Sequence, residues 1–192
     1  MFNKAEIRKA MRVQRKALSA DERARASRII CDKLISMPLM SRVFEGLDLC
    51  AIYLASPNEI DLTAIITSLL NKGARVVAPR WNGEIYELAR LKSLNPEDLR
   101  KGPMNILEPK EANRVQSKDI AIWLVPGLAF TKDGTRLGYG GGWYDQLMKE
   151  TSKTAKKIGI AYSFQIRESL PSEPHDIRLD AIVDDSIAYE RE

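Results

Sequence analysis

A single histidine, His175, and two cysteines, Cys31 and Cys50, are the whole supply of imidazole and thiol metal ligands in 192 residues. One imidazole excludes multi-histidine metal centres. Two thiols among apolar neighbours make neither a disulfide framework nor a zinc site. No apolar run approaches the roughly 20 residues that a membrane-spanning helix needs, so no membrane partner is expected. The string of glycine, four residues, then glycine, lysine and serine or threonine is also missing, which excludes the common phosphate loop. What is present is an ordinary globular balance of 44% apolar and 29% charged residues, which rules out a disordered tail or a low-complexity polymer. At this length, folding can remove roughly 70% of the surface exposed by the unfolded chain, enough for a core without covalent staples. The expectation is a soluble, cytoplasmic protein.

Charge is unevenly placed. Residues 1–28 hold nine Lys/Arg against three Asp/Glu, whereas the remainder holds 21 against 23. Such a segment suits a transit peptide, a nucleic-acid arm, or a cationic wall for a small anionic ligand. Its helix signals argue against a cleaved leader. Asn3 with Glu6 forms a capping-box pattern that predicts a helix over residues 4–18. Ile7, Met11 and Leu18 fall on one face of it, and Lys4, Arg8, Arg12 and Arg15 on an adjoining stripe. Arg12 and Arg15 are read as solvated. Aromatic residues are 7% of the chain and none interleaves this stripe, so the stacking platforms of an RNA-binding surface are missing. Ser19 with Glu22 repeats the cap and predicts a second helix to about Ser36, ended near Pro38.

Beyond residue 48 the pattern alternates. Strands are predicted at Leu49–Leu54, Val76–Pro79, Ile85–Leu91, Ile120–Val125, Lys157–Tyr162 and Ala181–Asp184. Helices are predicted at Leu62–Lys72, capped by Asp61 and stopped by Gly73, from Asn95-Pro96 to Gly102, and at Trp143–Glu150. Strand and helix taking turns predicts a single three-layer α/β domain over 1–192. Its central sheet would be mostly parallel and Rossmann-like, with helices on both faces and the residue 1–36 helical pair packed on the core.

Five of the eleven glycines lie within nine residues, at Gly134, Gly138, Gly140, Gly141 and Gly142. Glycine loses backbone entropy on ordering, so the cluster calls for a cause. Amides freed of side chains and leading into a helix start can cradle phosphate, and Arg136 adds a full charge. The dinucleotide fingerprint fails because Trp143 stands where a small residue is needed. A tight structural connection remains the other reading. Asp145 in the first helical turn either serves the helix dipole or holds a magnesium ion that bridges phosphates.

The stretch LVPGLAFTKDGTRLGYGGGWYDQL, Leu124–Leu147, closely resembles the signature of the 5-formyltetrahydrofolate cyclo-ligase family. Lys4 and Arg8, the segment YLASPNEID at Tyr53–Asp61 and the segment IGIAYSFQIRESLPSEPHDIRLDAIVDD at Ile158–Asp185 resemble further family segments, in the family's order. The resemblance implies ATP- and magnesium-dependent cyclisation of 5-formyltetrahydrofolate to 5,10-methenyltetrahydrofolate, with ADP and phosphate released through a phosphorylated formyl intermediate. By the same resemblance Lys4 and Arg8 meet the ATP phosphates. Arg136, Leu137, Gly138, Tyr139, Gly140, Gly141, Gly142, Trp143 and Tyr144 surround the triphosphate and the reacting centre. Arg136 is the expected catalytic charge, Asp145 and Asp176 the magnesium ligands, and Leu54 and Glu59 the pterin contacts beside Tyr139 and Gly140–Gly142. His175 is expected to be structural. Trp143, Gln146 and Asp184 depart from the commoner family residues, and Tyr139 and Gly141 are neutral where some relatives carry basic residues. No nucleic-acid partner is expected, and a monomer is the simplest assumption. The rivals are a non-catalytic nucleotide-binding regulator, which would need neither Glu59 nor Asp176, an RNA-binding module on the first helix, and a sugar-phosphate isomerase or acyl-transferase on a similar scaffold.

Overall fold

The computed structural model describes residues 3–173, 176–186 and 188–190, so His175 lies outside the described residues. Both capping boxes form. Asn3 and Ser19 accept amides three residues on while Glu6 and Glu22 reach back, opening α1 (Lys4–Ala17) and α2 (Ala20–Ser36). A short α3 (Ser41–Phe44) follows. Asp61 accepts the Thr63 amide at 2.8 Å ahead of α4 (Thr63–Asn71), and Gly73 beyond its end has φ +74°. The last helix, α5 (Trp143–Met148), has six residues and stops short of the predicted Glu150.

The first six strands are β1 (Leu49–Ala51), β2 (Arg75–Trp81), β3 (Tyr86–Arg90), β4 (Leu99–Lys101), β5 (Leu107–Pro109) and β6 (Arg114–Val115). They are followed by β7 (Ile120–Pro126), β8 (Ala129–Thr131), β9 (Arg136–Leu137), β10 (Lys156–Ile160), β11 (Ile166–Arg167), β12 (Ala181–Val183) and β13 (Ala188–Glu190). Eight of them form one sheet in the order β13-β12-β10-β7-β1-β2-β3-β6. The run from β12 to β2 is parallel, and β13, β3 and β6 pair antiparallel at its margins. This is the mostly parallel α/β sheet that the alternating pattern predicts.

Strand β7 is buried along nearly its whole length and feeds two cores. Ile122 and Leu124 join Ile30 and Leu34 of α2 and Ile65 and Leu69 of α4 on one face. Trp123 and Val125 join Leu147 and Met148 of α5 on the other. Successive strand residues point to opposite faces, so a strand buried on both sides needs an unbroken apolar run, and Ile120–Val125 supplies it. Helix α1 packs elsewhere. Its Met11 joins Leu128, Ala129 and Leu137 on a small side sheet of order β11-β8-β9.

The helix predicted from Asn95-Pro96 to Gly102 does not form. Ser93 accepts the Asn95 amide and donates to Asp98, closing a turn, after which β4 and β5 pair as an antiparallel ribbon. That pairing sets Arg100 opposite Glu108, a residue 2% exposed whose carboxylate accepts from Arg100 Nε at 2.8 Å and the Trp81 amide at 3.0 Å. A buried carboxylate needs these partners, and a helix over residues 95–102 would not supply them. The strand predicted at Leu49–Leu54 ends at Ala51, although the Ile52 amide still bonds Val77 O.

The β8–β9 turn aims the chain at the glycine loop, and it is fixed by Gly134. There φ is +84°, the Leu179 amide bonds Gly134 O at 2.9 Å, and an added Cβ would lie 2.2 Å from Leu179 O. Gly134→Ala is therefore expected to lower the thermal midpoint by roughly 5 °C or more, because both the dihedral and the backbone contact oppose a side chain. An unchanged melting curve would show that the turn tolerates rearrangement.

Candidate active site

Strands β1 and β7 lie side by side, yet the chain leaves β1 for β2 on the opposite flank. The sheet therefore switches direction between β1 and β7, and the crevice beyond their carboxyl ends is where such sheets place ligands. One wall is the segment after β1, residues 54–59. The other is the glycine loop, residues 138–142, between β9 and α5.

The basic stripe of α1 lies along that loop. Arg8 Nε donates to Gly138 O at 3.0 Å and Arg12 Nη2 to Tyr139 O at 3.4 Å. Gly140, at φ +114°, leaves its Cα facing the Arg8 guanidinium, where a Cβ would come within 3.7 Å of Cζ. Gly142 at φ +66° turns the chain into α5, and an added Cβ on Gly141 would be 2.2 Å from Trp143 Nε1. These glycines are thus required by close approach and by positive φ. The six-residue helix adds little dipole, so any anion-binding capacity rests on the loop amides and the arginines around them. Leu137 is buried against Met11. Trp143 meets Trp81 and Tyr86 edge-on, with ring centroids 5.4 Å away in both cases.

Glu59 faces Tyr139 across the crevice. The Ser56 amide and hydroxyl both donate to its Oε2 at 2.7 Å, and the Tyr139 hydroxyl donates to Oε1. With its side chain only 9% exposed, Glu59 is a built-in acid rather than a solvated one. Burial, then the Glu59 charge, pushes the Tyr139 phenol well above its usual range, so it keeps the proton it donates. Tyr144 is shifted in the same direction, again by burial first. Leu54, Ser56 and Glu59 also line an open cavity of about 1040 Å3 that reaches α2.

Arg136 and Asp145 form the far side of the site. Arg136 Nη2 lies 2.9 Å from both Asp145 oxygens, Cζ sits 5.8 Å from the Tyr144 ring centroid, and the buried Nε has no partner among the described residues. The Ile177 amide donates to Asp145 Oδ1 at 3.3 Å, which brings the neighbouring Asp176 to the same corner. Lys4 Nζ reaches Asp176 Oδ2 at 3.4 Å and Glu173 Oε1 at 2.7 Å. The Glu173 hydrogen bond is the main favourable contribution holding the Lys4 pKa above its ordinary value.

The structure thus gathers Lys4, Arg8, Glu59, Arg136, Tyr139, the loop glycines, Tyr144, Asp145 and Asp176 around one crevice. It also overturns the reading of Arg15 as solvated. That residue is 5% exposed, its Nε donates to Asn58 O at 2.8 Å and its Nη1 to the Tyr139 hydroxyl. A signal was available, because Arg15 stands four residues after Met11 and so interrupts the apolar stripe. Arg12 is exposed as predicted but bonded to the loop. Ser56 and Asn58 gave no comparable sign.

The fold is that of a doubly wound α/β protein, with a candidate site at the switch point of its sheet. Residues 1–185 match the model of the 5-formyltetrahydrofolate cyclo-ligase family. The chain is 31% identical over 206 residues to the mitochondrial 5-formyltetrahydrofolate cyclo-ligase of Arabidopsis thaliana, covering 94% of this chain and 73% of that one. It is 26% identical over 191 residues to the Mus musculus 5-formyltetrahydrofolate cyclo-ligase, covering 94% and 92%. The solved 5,10-methenyltetrahydrofolate synthetase of Aquifex aeolicus superposes with a TM-score of 0.83 at 34% identity, covering 97% of this chain and 92% of that one. The chain belongs to the 5-formyltetrahydrofolate cyclo-ligase family, and it is an enzyme of the ligase class in folate one-carbon metabolism.

Proposed function

We propose that this enzyme closes 5-formyltetrahydrofolate to 5,10-methenyltetrahydrofolate at the expense of ATP. The observation that supports this most directly is the Tyr139–Glu59 hydrogen bond, which joins the glycine loop to the acidic segment across one crevice. A reaction that hands a phosphoryl group to a folate needs its two ligand walls in that relation. Catalysis of this kind is mostly a matter of positioning and charge stabilisation.

In this reading the pterin enters the cavity of about 1040 Å3 beside Leu54, and its amino-pyrimidine edge donates to the acceptor site of Glu59 that Ser56 and Tyr139 leave open. Trp143, Tyr144 and Tyr139 wall the reacting centre. Loop amides from Gly138 to Gly142, with Lys4 and Arg8, take the triphosphate. The formyl oxygen attacks the γ-phosphorus and ADP leaves. The second folate nitrogen then attacks the activated carbon and gives up its proton, and the former formyl oxygen departs within phosphate, which takes that proton. Arg136, buried and with donors beyond those on Asp145, supplies positive charge where negative charge grows.

A magnesium ion suits this corner. Asp145 and Asp176 are brought together by the Ile177 amide, and the described residues contain no group of three acidic, His or Cys side chains able to cage a metal. Two carboxylates with phosphate oxygens completing the shell is a magnesium set, whereas structural zinc would need four protein ligands. When bound there, the ion would neutralise phosphate charge. Arg8, Arg12 and Arg15 all bond the loop or its neighbours, which supports a role for the stripe in shaping this site over one as an RNA-binding surface.

Incubation with Mg-ATP and 5-formyltetrahydrofolate should raise the near-ultraviolet band of the methenyl product, and should fail when ATP is left out. No band from folded protein would overturn the reading. Arg136→Ala is expected to cut turnover by about 100-fold or more, the scale seen when a charge-stabilising donor is lost. Near-normal turnover would remove Arg136 from catalysis. Asp145→Asn should shift the magnesium dependence of the rate to higher concentrations. An unchanged titration would confine Asp145 to holding Arg136 and the start of α5.

A further inference from the structure

We propose that Arg15 is a positioning residue for folate recognition, one that aims the Glu59 carboxylate by holding Tyr139 and Asn58. The proposal rests on the reading of Glu59 as the pterin acceptor. One guanidinium does three things at once. Nε donates to Asn58 O at 2.8 Å, Nη1 donates to the Tyr139 hydroxyl, and Nη2 faces Glu59 Oε1 at 3.9 Å. Its Cζ also lies 5.7 Å from the centroid of the Tyr139 ring. Asn58, immediately before Glu59, has φ +70°, a left-handed conformation that needs support in a non-glycine residue. Arg15 supplies that support on one side of Glu59, and through Tyr139 it fixes the oxygen on the other.

Stability alone does not call for an arginine here. The position continues the apolar stripe of Ile7 and Met11, and a buried ion pair is often no better for stability than apolar side chains of similar volume. An apolar residue would pack, but it would leave Oε1 with no cation to orient it. Lysine would keep the charge and lose the fork, because one ammonium cannot meet Asn58 O, the Tyr139 hydroxyl and Glu59 in three separate directions. The effect should be confined to the folate side. The loop is held independently by Arg8 on Gly138 O and Arg12 on Tyr139 O, neither of which touches Glu59.

The test is steady-state kinetics of methenyl formation for wild type, Arg15→Met, Arg15→Lys and Tyr139→Phe, with thermal melts and calorimetric titration of 5-formyltetrahydrofolate alone. Arg15→Met should raise the KM and the calorimetric Kd for folate by about tenfold, as for the loss of a charge-assisted hydrogen bond, with the KM for ATP moving less than about threefold. Arg15→Lys should recover part of the loss. Tyr139→Phe, which deletes one hydroxyl on an accessible loop, should raise the folate KM in the same direction and carries the test if Arg15→Met does not fold. A lowered melting point with reduced kcat and unchanged KM values would overturn the proposal and make Arg15 a stability element. So would an unchanged folate KM in Tyr139→Phe. A wild type that binds no folate overturns the functional reading and this proposal with it, an outcome separate from a wild type that turns over while the variants keep its folate KM.

Discussion

A loop with glycine at four of its five positions, residues 138–142, carries few side chains with which to hold itself, so its shape is imposed by its neighbours. That constraint organises the rest of the site. Helix α1 lies along the loop because Met11 anchors it on the β8–β9 hairpin, and from there its arginines grip carbonyls and a phenol. What the loop has to offer is then mostly backbone rather than side chains. Rigid support outside and bare backbone inside is the arrangement that lets a chain approach a multiply charged ligand closely.

The same logic explains why charged groups are buried here without apparent benefit to folding. Arg15, Arg136 and Glu59 have nearly inaccessible side chains, and each would be costly to bury alone. They are tolerated because each is met by a partner: Arg136 by Asp145, Glu59 by the Ser56 amide and hydroxyl, Arg15 by three oxygens in different directions. Polar networks of this kind hold reacting groups in place before substrate arrives, at some cost in packing.

Much of this was legible in the chain. Capping boxes at Asn3 and Ser19, the stop at Gly73 and the apolar run of β7 are local signals, and local signals fixed the helices and the central strands. The glycine cluster and the basic stripe pointed to the candidate site, the glycines because ordering them costs backbone entropy. What stayed hidden depends on partners far along the chain. The β4–β5 ribbon exists because Glu108 must meet Arg100 and the Trp81 amide, and nothing near Asn95 reports that need. Arg15 was half visible, as a cation interrupting an apolar stripe. Its partners, a carbonyl at residue 58 and a phenol at residue 139, could not be read from its own helix.

The contact between Lys4 and Asp176 joins positions 172 apart. Each long closure is entropically demanding, so pairings of this span form late relative to local helices. During synthesis the amino-terminal helix leaves the ribosome long before the segment it must meet. The crevice therefore depends on both ends of this span: a polypeptide that stops short of Asp176 can own the glycine loop, the basic helix and most of the sheet, and still lack a closed site.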